Sequence, residues 1–181
     1  MNENKKGFTL IELLIVIGII SILAGIVLVA VNPAQQFGKA NDSERKSEIS
    51  SILSAIYQFQ TSPTARGALP QCTVNAVPTA IPECDTVPLS GAFDGALELG
   101  TDVAAYDCST TLIPSYLREM PIDPSSTFDA TNTGYWVCQN TRGLVSRVYV
   151  ISSGVEVFKT DGGCKIPAGP DIGDPAMCVS G

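Results

Sequence analysis

An uncharged apolar run near the N-terminus limits what this chain can fold into more than any other feature. From Leu13 to Val31, 19 consecutive residues carry no charge, and almost all are Ile, Leu, Val, Ala or Gly. A helix of this length spans about 30 Å, the thickness of a bilayer's hydrocarbon core. Lys5 and Lys6 precede the run, and basic residues favour the cytoplasmic side. We therefore expect a single-pass segment with a cytoplasmic N-terminus and the chain after residue 32 outside the cytoplasm.

A cleaved secretory signal peptide is the first alternative. Its apolar region normally runs roughly 7 to 15 residues and ends in an A-x-A-like site. Here the run is longer and closes with Ala30-Val31-Asn32-Pro33, so a membrane anchor fits better. Glu12 lies among apolar neighbours just before the run. Because a charge at membrane depth is costly, we expect this carboxylate to have a partner.

The residues around Glu12 resemble a known family. Gly7-Phe8-Thr9-Leu10-Ile11-Glu12, after a short basic leader and before the uncharged helix, is similar to the class III signal of type IV pilins and type II secretion pseudopilins. The resemblance implies that a prepilin peptidase removes residues 1–7 by cutting after Gly7 and then methylates Phe8. It also implies that Glu12 pairs with the new amine of Phe8 on neighbouring subunits and sets their register. The alternative is a Glu12 that snorkels to the interface or is protonated.

Small residues recur along the predicted membrane helix, 8–31. Gly18, Ser21 and Gly25 are spaced by three and four residues, and such residues let helices approach closely in a lipid-like core. We expect them to serve helix packing, although small residues are also common in membrane helices that do not associate.

An amphipathic helix is predicted for residues 32–62. One apolar face is formed at three- and four-residue steps by Ile49, Ile52, Leu53, Ile56 and Phe59, which is typical of a helix packed on a globular domain. Asn32-Pro33 and Gly38 predict a kink or unwound segment, and Pro63 predicts the end of the helix.

A basic cluster, Lys39, Arg45 and Lys46, lies among acidic residues of the same helix. Lipid headgroups or neighbouring subunits could contact it. We favour a solvated helix face with an Asp42–Lys46 pair.

Residues 63–107 are rich in Pro, Thr, Ala and Gly, which predicts a long loop region without long regular elements. Residues 108–181 should then form an antiparallel sheet and a disulfide-closed C-terminal loop. Strands are predicted at 135–139, 146–152 and 155–160. The predicted fold class is α+β, with the long N-terminal helix packed on the small sheet.

A second resemblance lies before the first of these strands. Residues 112–124, followed by Gly134-Tyr135, resemble the Y-L-x-x-x-P-x-D-P…G-Y pattern of the major-pseudopilin-like branch, where it links a short helical turn to the first sheet strand. Some pseudopilins of this branch bind calcium near the D-P segment. That resemblance directs attention to Asp123, Asp129 and Asp161 as calcium ligands, but solvated turn aspartates explain them better. We predict no metal and no cofactor.

Six cysteines all follow the membrane segment: Cys72, Cys84, Cys108, Cys138, Cys164 and Cys178. An even number in an exported domain predicts disulfides, because that compartment is oxidising. No C-x-x-C occurs, which argues against redox and zinc-ribbon chemistry. Of the fifteen possible connectivities, we favour sequential closure, Cys72–Cys84, Cys108–Cys138 and Cys164–Cys178, with Cys138–Cys164 across the sheet as a rival.

Catalysis has little support in the sequence. The chain has no histidine, which excludes imidazole-dependent triads and zinc sites, and it contains no phosphate-loop or nucleophile-elbow motif. A net charge of −7 disfavours direct nucleic-acid binding. We therefore predict no catalytic residues and no enzyme.

The predicted function is that of a structural subunit in a pilus-like homo-oligomeric filament. Its expected partners are the prepilin peptidase, a pilus or secretion assembly platform and the membrane. It would reside in the cytoplasmic membrane and, after assembly, in an extracellular or periplasmic filament. Two alternatives stay open: a pseudopilin of type II secretion or DNA uptake, and a single-span adhesin or receptor that does not polymerise.

Overall fold

A computed structural model describes residues 7–84, 95–141, 147–152, 154 and 177–180. The chain divides into two compact units, residues 1–37 and 38–181.

Helix α1, Leu10–Val31, contains the apolar run. Thr9 is its N-cap and forms a capping box with Glu12, which satisfies amide groups that the first turn leaves without helical partners. Asn32 ends the helix in the left-handed region, at φ 39°, and Pro33 follows. All described side chains of α1 are exposed in the isolated subunit.

Helix α2, Pro33–Thr61, begins with a proline, which is favoured at the first helical position because its missing N–H would have no partner there. The predicted break at Asn32-Pro33 is confirmed, whereas Gly38 lies inside the helix without interrupting it. The helix ends two residues before Pro63, as predicted.

In the described part of the 38–181 unit, four strands form an antiparallel sheet in the order β3-β4-β5-β6. Their bounds are Leu97–Glu98 for β3, Tyr135–Asn140 for β4, Arg147–Ser152 for β5 and Met177–Ser180 for β6. The predictions of β4 and β5 are confirmed, and the predicted strand 155–160 lies outside the described residues. The first strand of this sheet is β3 rather than the strand at Tyr135, so that expectation was wrong.

The predicted packing of α2 on the sheet is confirmed. Ile49, Ile52, Leu53 and Ile56 belong to one core cluster with Val137 of β4 and Val148 and Val150 of β5, while Phe59 is partly buried against it. Since alternate residues of a strand face the same side, β4 and β5 present a continuous apolar surface to the helix. The α+β class is therefore correct.

A short hairpin interrupts the predicted loop region. Strands β1, Cys72–Val74, and β2, Val77–Thr79, are joined by Asn75 and Ala76, which have φ values of 53° and 59°. Two-residue hairpin turns of this kind need positive φ at both positions. As expected, no strand described between residues 63 and 107 exceeds three residues.

The disulfides differ from the sequential pairing. Cys72 bonds to Cys108 and Cys84 bonds to Cys138, so Cys72–Cys84, Cys108–Cys138 and the rival Cys138–Cys164 are wrong. Thr73 pairs with Asp107, and Glu83 pairs with Gln139, and these backbone contacts bring each bonded pair together. Cys164 lies outside the described residues, so the third pairing stays a prediction.

Candidate functional site: the N-terminal segment and a buried charge cluster

The predicted cleavage site lies just before α1. Gly7 and Phe8 precede the N-cap and belong to neither helix nor strand, and Phe8 is 86% exposed. A Cβ atom added at Gly7 would have no neighbour within 4 Å. The subunit's own packing therefore does not require glycine at this position.

Glu12 has an intrachain partner that our reading of the sequence missed. Its Oε2 accepts hydrogen bonds from the Thr9 amide and the Thr9 hydroxyl, each at 2.8 Å, and its own amide donates to Thr9 Oγ1 at 3.3 Å. The signal was present in Thr9-x-x-Glu12, which has the spacing of a capping box. Pairing of Glu12 with another subunit stays a prediction.

The small residues of α1 lie on its exposed surface. Cβ atoms added at Gly18 and Gly25 would meet nothing within 4 Å in the isolated chain. The Ser21 hydroxyl donates to the Ile17 carbonyl at 2.7 Å, which satisfies it without an external partner. This surface can therefore enter an apolar environment without burying a hydroxyl that lacks a hydrogen-bond partner.

Arg45 lies at the centre of a buried charge cluster, and the predicted solvated Asp42–Lys46 pair was wrong. The Arg45 guanidinium contacts Asp42 Oδ1 through Nη1 at 2.9 Å. It also donates two hydrogen bonds to Asp123, from Nε to Oδ2 at 2.8 Å and from Nη2 to Oδ1 at 2.9 Å. The side chains of all three residues are fully buried. Because the guanidinium fork matches a carboxylate, this geometry gives strong, directional bonds between α2 and the loop that contains Asp123.

Asp123 is further enclosed by hydroxyl and amide donors. Ser125 donates to Oδ1 from its amide at 2.9 Å and from its hydroxyl at 2.6 Å, and the Ser152 hydroxyl donates to Oδ2 at 3.3 Å. Burial would raise the pKa of Asp123, but the bonds from Arg45 and Ser125 outweigh it and hold that pKa below its ordinary value.

Two glycines allow the chain to close around Asp123. Gly134 has φ +79°, and a Cβ there would lie 2.8 Å from the Phe128 ring. A Cβ at Gly154 would lie 2.5 Å from Asp123 Oδ2 and 2.8 Å from Arg45 Nε. Gly134 is the glycine of the G-Y pattern, so steric crowding in the fold explains why glycine occurs at this position.

The two described aspartates considered for calcium each accept hydrogen bonds from donors of the protein itself. Asp123 is committed to Arg45, while Asp129 is exposed and accepts from the Thr131 amide at 2.8 Å and the Asn132 amide at 3.2 Å. Asp161 lies outside the described residues. Within the described ranges, no group of three or more His, Cys, Asp or Glu side chains is placed to hold a metal ion.

Next to this cluster, Glu48 of α2 accepts a hydrogen bond from the Tyr135 hydroxyl of β4. Burial is the main cause that raises the pKa of Glu48, and the bond from Tyr135 opposes it. Burial and the neighbouring Glu48 also raise the pKa of Tyr135. This pair adds a second polar link between α2 and the sheet.

The N-terminal segment matches a family model over residues 3–28. These residues carry the prokaryotic N-terminal methylation motif. The motif is the class III signal peptide of type IV pilins and pseudopilins, so the resemblance seen in the sequence is confirmed. No curated protein and no solved structure matches the chain.

The methylation motif coincides with the one described helix that is long and apolar enough to cross a membrane. Residues Leu10–Leu28 have a mean hydropathy of 2.9, and none of that window is buried. The motif supports a type IV pilin-like or pseudopilin protein that is processed by a prepilin peptidase. Together with the apolar helix it suggests a membrane-anchored protein.

Proposed function

We propose that the chain is the structural subunit of a type IV pilus-like filament and polymerises through α1. The observation that carries the proposal is a methylation motif on an apolar helix whose described side chains are all exposed. Burying one Leu, Ile, Val or Phe side chain contributes roughly 1.5–3 kcal/mol relative to water. A helix with this surface needs lipid before assembly and other subunits after it.

Cleavage after Gly7 would turn Phe8 into an N-terminal amine four residues before Glu12. Inside a helix bundle an uncompensated carboxylate is strongly unfavourable, whereas one that faces an amine is tolerated. The Thr9 contacts of Glu12 use one carboxylate oxygen and need no residue that cleavage removes. An amine on a neighbouring subunit would therefore meet a carboxylate already oriented by Thr9.

Lateral packing of α1 would use Gly18, Ser21 and Gly25, because residues this small let a neighbouring helix approach closely. A contact that repeats head-to-tail without closing gives an open helical filament. The partners implied are further copies of this chain, the prepilin peptidase, the membrane and a pilus or secretion assembly platform.

A second candidate is a pseudopilin of a type II secretion or DNA-uptake system. The Y-L-x-x-x-P-x-D-P resemblance favours it. Asp123, the aspartate of that pattern, holds the loop against α2 through Arg45. A single-span adhesin or receptor would instead keep residues 1–7 and stay monomeric.

Processing can be tested by co-expressing the chain with and without a prepilin peptidase and measuring the intact mass of the membrane-bound product. We expect a peptidase-dependent product that starts at a methylated Phe8. Gly7→Leu should block cleavage, and Gly18→Leu is the matched control that leaves the cleavage site unchanged. A product that retains Met1 in the presence of active peptidase would contradict the proposal.

A further inference from the structure

The Tyr106 phenol is buried between the β1–β2 hairpin and the chain that follows β3. Tyr106 is 1% exposed and belongs to the same core cluster as Cys72 and Cys108. Its hydroxyl lies 3.2 Å from the Pro70 carbonyl oxygen and 3.1 Å from the Thr79 carbonyl oxygen, so it can donate to either of them. The phenol oxygen also accepts from the Cys72 amide at 3.4 Å. One side chain therefore bonds to both strands of the hairpin.

The backbone around the same tyrosine is fixed as well. Its amide donates to the Glu98 carbonyl of β3 at 2.7 Å. The next residue, Asp107, exchanges two backbone hydrogen bonds with Thr73 of β1, at 3.0 Å and 2.9 Å. Cys72 precedes Thr73, and Cys108 follows Asp107, so this antiparallel pairing brings the two cysteines opposite each other. None of these contacts requires the disulfide.

Chain entropy alone favours a different partner for Cys72. Cys108 is 36 residues away, whereas Cys84 would close a loop about one third as long. Because the entropy cost of closure grows with the logarithm of loop length, the shorter loop is favoured roughly fivefold in a flexible chain. Contacts of the fold must outweigh this preference. Among the hydrogen bonds described between the hairpin and residues 103–111, the bond to Cys72 itself comes from the Tyr106 phenol.

We propose that Tyr106 is a positioning residue for disulfide formation, whose phenol holds Cys72 opposite Cys108 before the bond forms and so specifies this pairing. In the reaction a small-molecule disulfide accepts two electrons and two protons from the two thiols. A bond forms between the Sγ atoms of Cys72 and Cys108, the S–S bond of the small molecule breaks, and that molecule leaves in its thiol form. The proposal concerns the 38–181 unit and does not depend on filament assembly.

The first test removes the disulfide and measures whether the alignment persists. In the full chain carrying Cys72→Ala and Cys108→Ala, in nonionic micelles, the amides of Thr73 and Asp107 should remain protected from hydrogen exchange measured by NMR. Adding Tyr106→Phe, which keeps the ring and removes the hydroxyl, should lower this protection about two- to tenfold, as expected for the net loss of one hydrogen bond.

The matched control is Tyr57→Phe in the same double variant. It removes another phenol of this unit, one that accepts from the Val148 amide of β5 at 3.3 Å. We expect it to leave the protection of the two reporter amides unchanged, whereas a general loss of stability would lower their protection in both tyrosine variants.

The second test keeps all the cysteines and measures disulfide formation itself. The full chain is equilibrated with mixtures of oxidised and reduced dithiothreitol, then alkylated and mapped, which gives an equilibrium constant for each disulfide. Tyr106→Phe should lower the constant for Cys72–Cys108 by up to about tenfold. The constant for Cys84–Cys138 should not change, because that pair is aligned by other contacts, among them the bond from the Cys84 amide to the Gln139 carbonyl at 2.9 Å.

Three results would overturn the proposal. The reporter amides could be unprotected without the disulfide, which would show that the covalent bond creates the alignment. Their protection could be the same with and without the Tyr106 hydroxyl, or fall equally in Tyr57→Phe. Finally, Tyr106→Phe could leave the Cys72–Cys108 constant unchanged or lower both disulfide constants equally, as a merely structural tyrosine would. If the double cysteine variant does not fold, the two disulfide constants alone decide the question.

Discussion

Arg45→Met removes the guanidinium that Asp42 and Asp123 both contact, while keeping much of the buried aliphatic stem. Three hydrogen bonds to carboxylates are lost, and at roughly 1.5–3 kcal/mol each they would sum to about 5–9 kcal/mol. The two carboxylates can recover part of this by protonation or by admitting water. Removal of one partner from a buried ion pair costs about 3–5 kcal/mol, and this is the loss of unfolding free energy that we expect.

The assay is urea unfolding of the full chain in nonionic micelles at neutral pH, monitored through Trp136. Lys46→Met is the matched control, because Lys46 is the next residue on α2 and is exposed, and surface substitutions usually change stability by less than about 0.5 kcal/mol. Arg45→Lys keeps the charge without the fork and should fall between the two.

If Arg45→Met does not fold, Asp42→Asn provides a milder version of the same test. It weakens one of the three bonds, and we expect a loss of about 1.5–3 kcal/mol. The reasoning is refuted if Arg45→Met, or in its place Asp42→Asn, is as stable as Lys46→Met. The buried cluster would then contribute no more to the free energy of unfolding than an exposed lysine does.

Two further predictions concern assembly and covalent structure. Glu12→Ala should leave membrane insertion intact but reduce the yield of sheared filaments, and Glu12→Gln, which keeps the side chain's shape without its charge, should do the same; normal yield from both variants on immunoblots would rule out a register role. Cys84→Ser breaks the bond to Cys138 and should lower the free energy of unfolding by about 2–4 kcal/mol, measured by urea unfolding without reductant. A non-reducing peptide map of the wild type in which Cys84 is joined to any cysteine other than Cys138 would contradict the described disulfide pairing.

The elements that could be predicted from the sequence are those specified by neighbouring residues. Helix α1 is indicated by a contiguous apolar run, and the methylation motif consists of adjacent residues. Recognising either one therefore does not require knowledge of distant contacts. The apolar face of α2 repeats at helical spacing, and β4 and β5 are rich in residues that favour strands. In these cases the local signal and the tertiary packing agree.

The features that could not be predicted depend on long-range register. Arg45 and Asp123 are separated by 78 residues, so local spacing favoured Lys46 as the partner of Asp42. Cys72 meets Cys108 because β1 lies beside Asp107, which loop length does not reveal. Strand β3 has two residues, too few for a periodic pattern to indicate it.

Electron microscopy of material sheared from cells that express the chain together with a prepilin peptidase, combined with N-terminal analysis of the same material, tests the central claim most directly. We expect thin filaments whose subunit begins at methylated Phe8. A membrane-bound monomer that never enters filaments, although its first seven residues have been removed, would contradict assembly through α1.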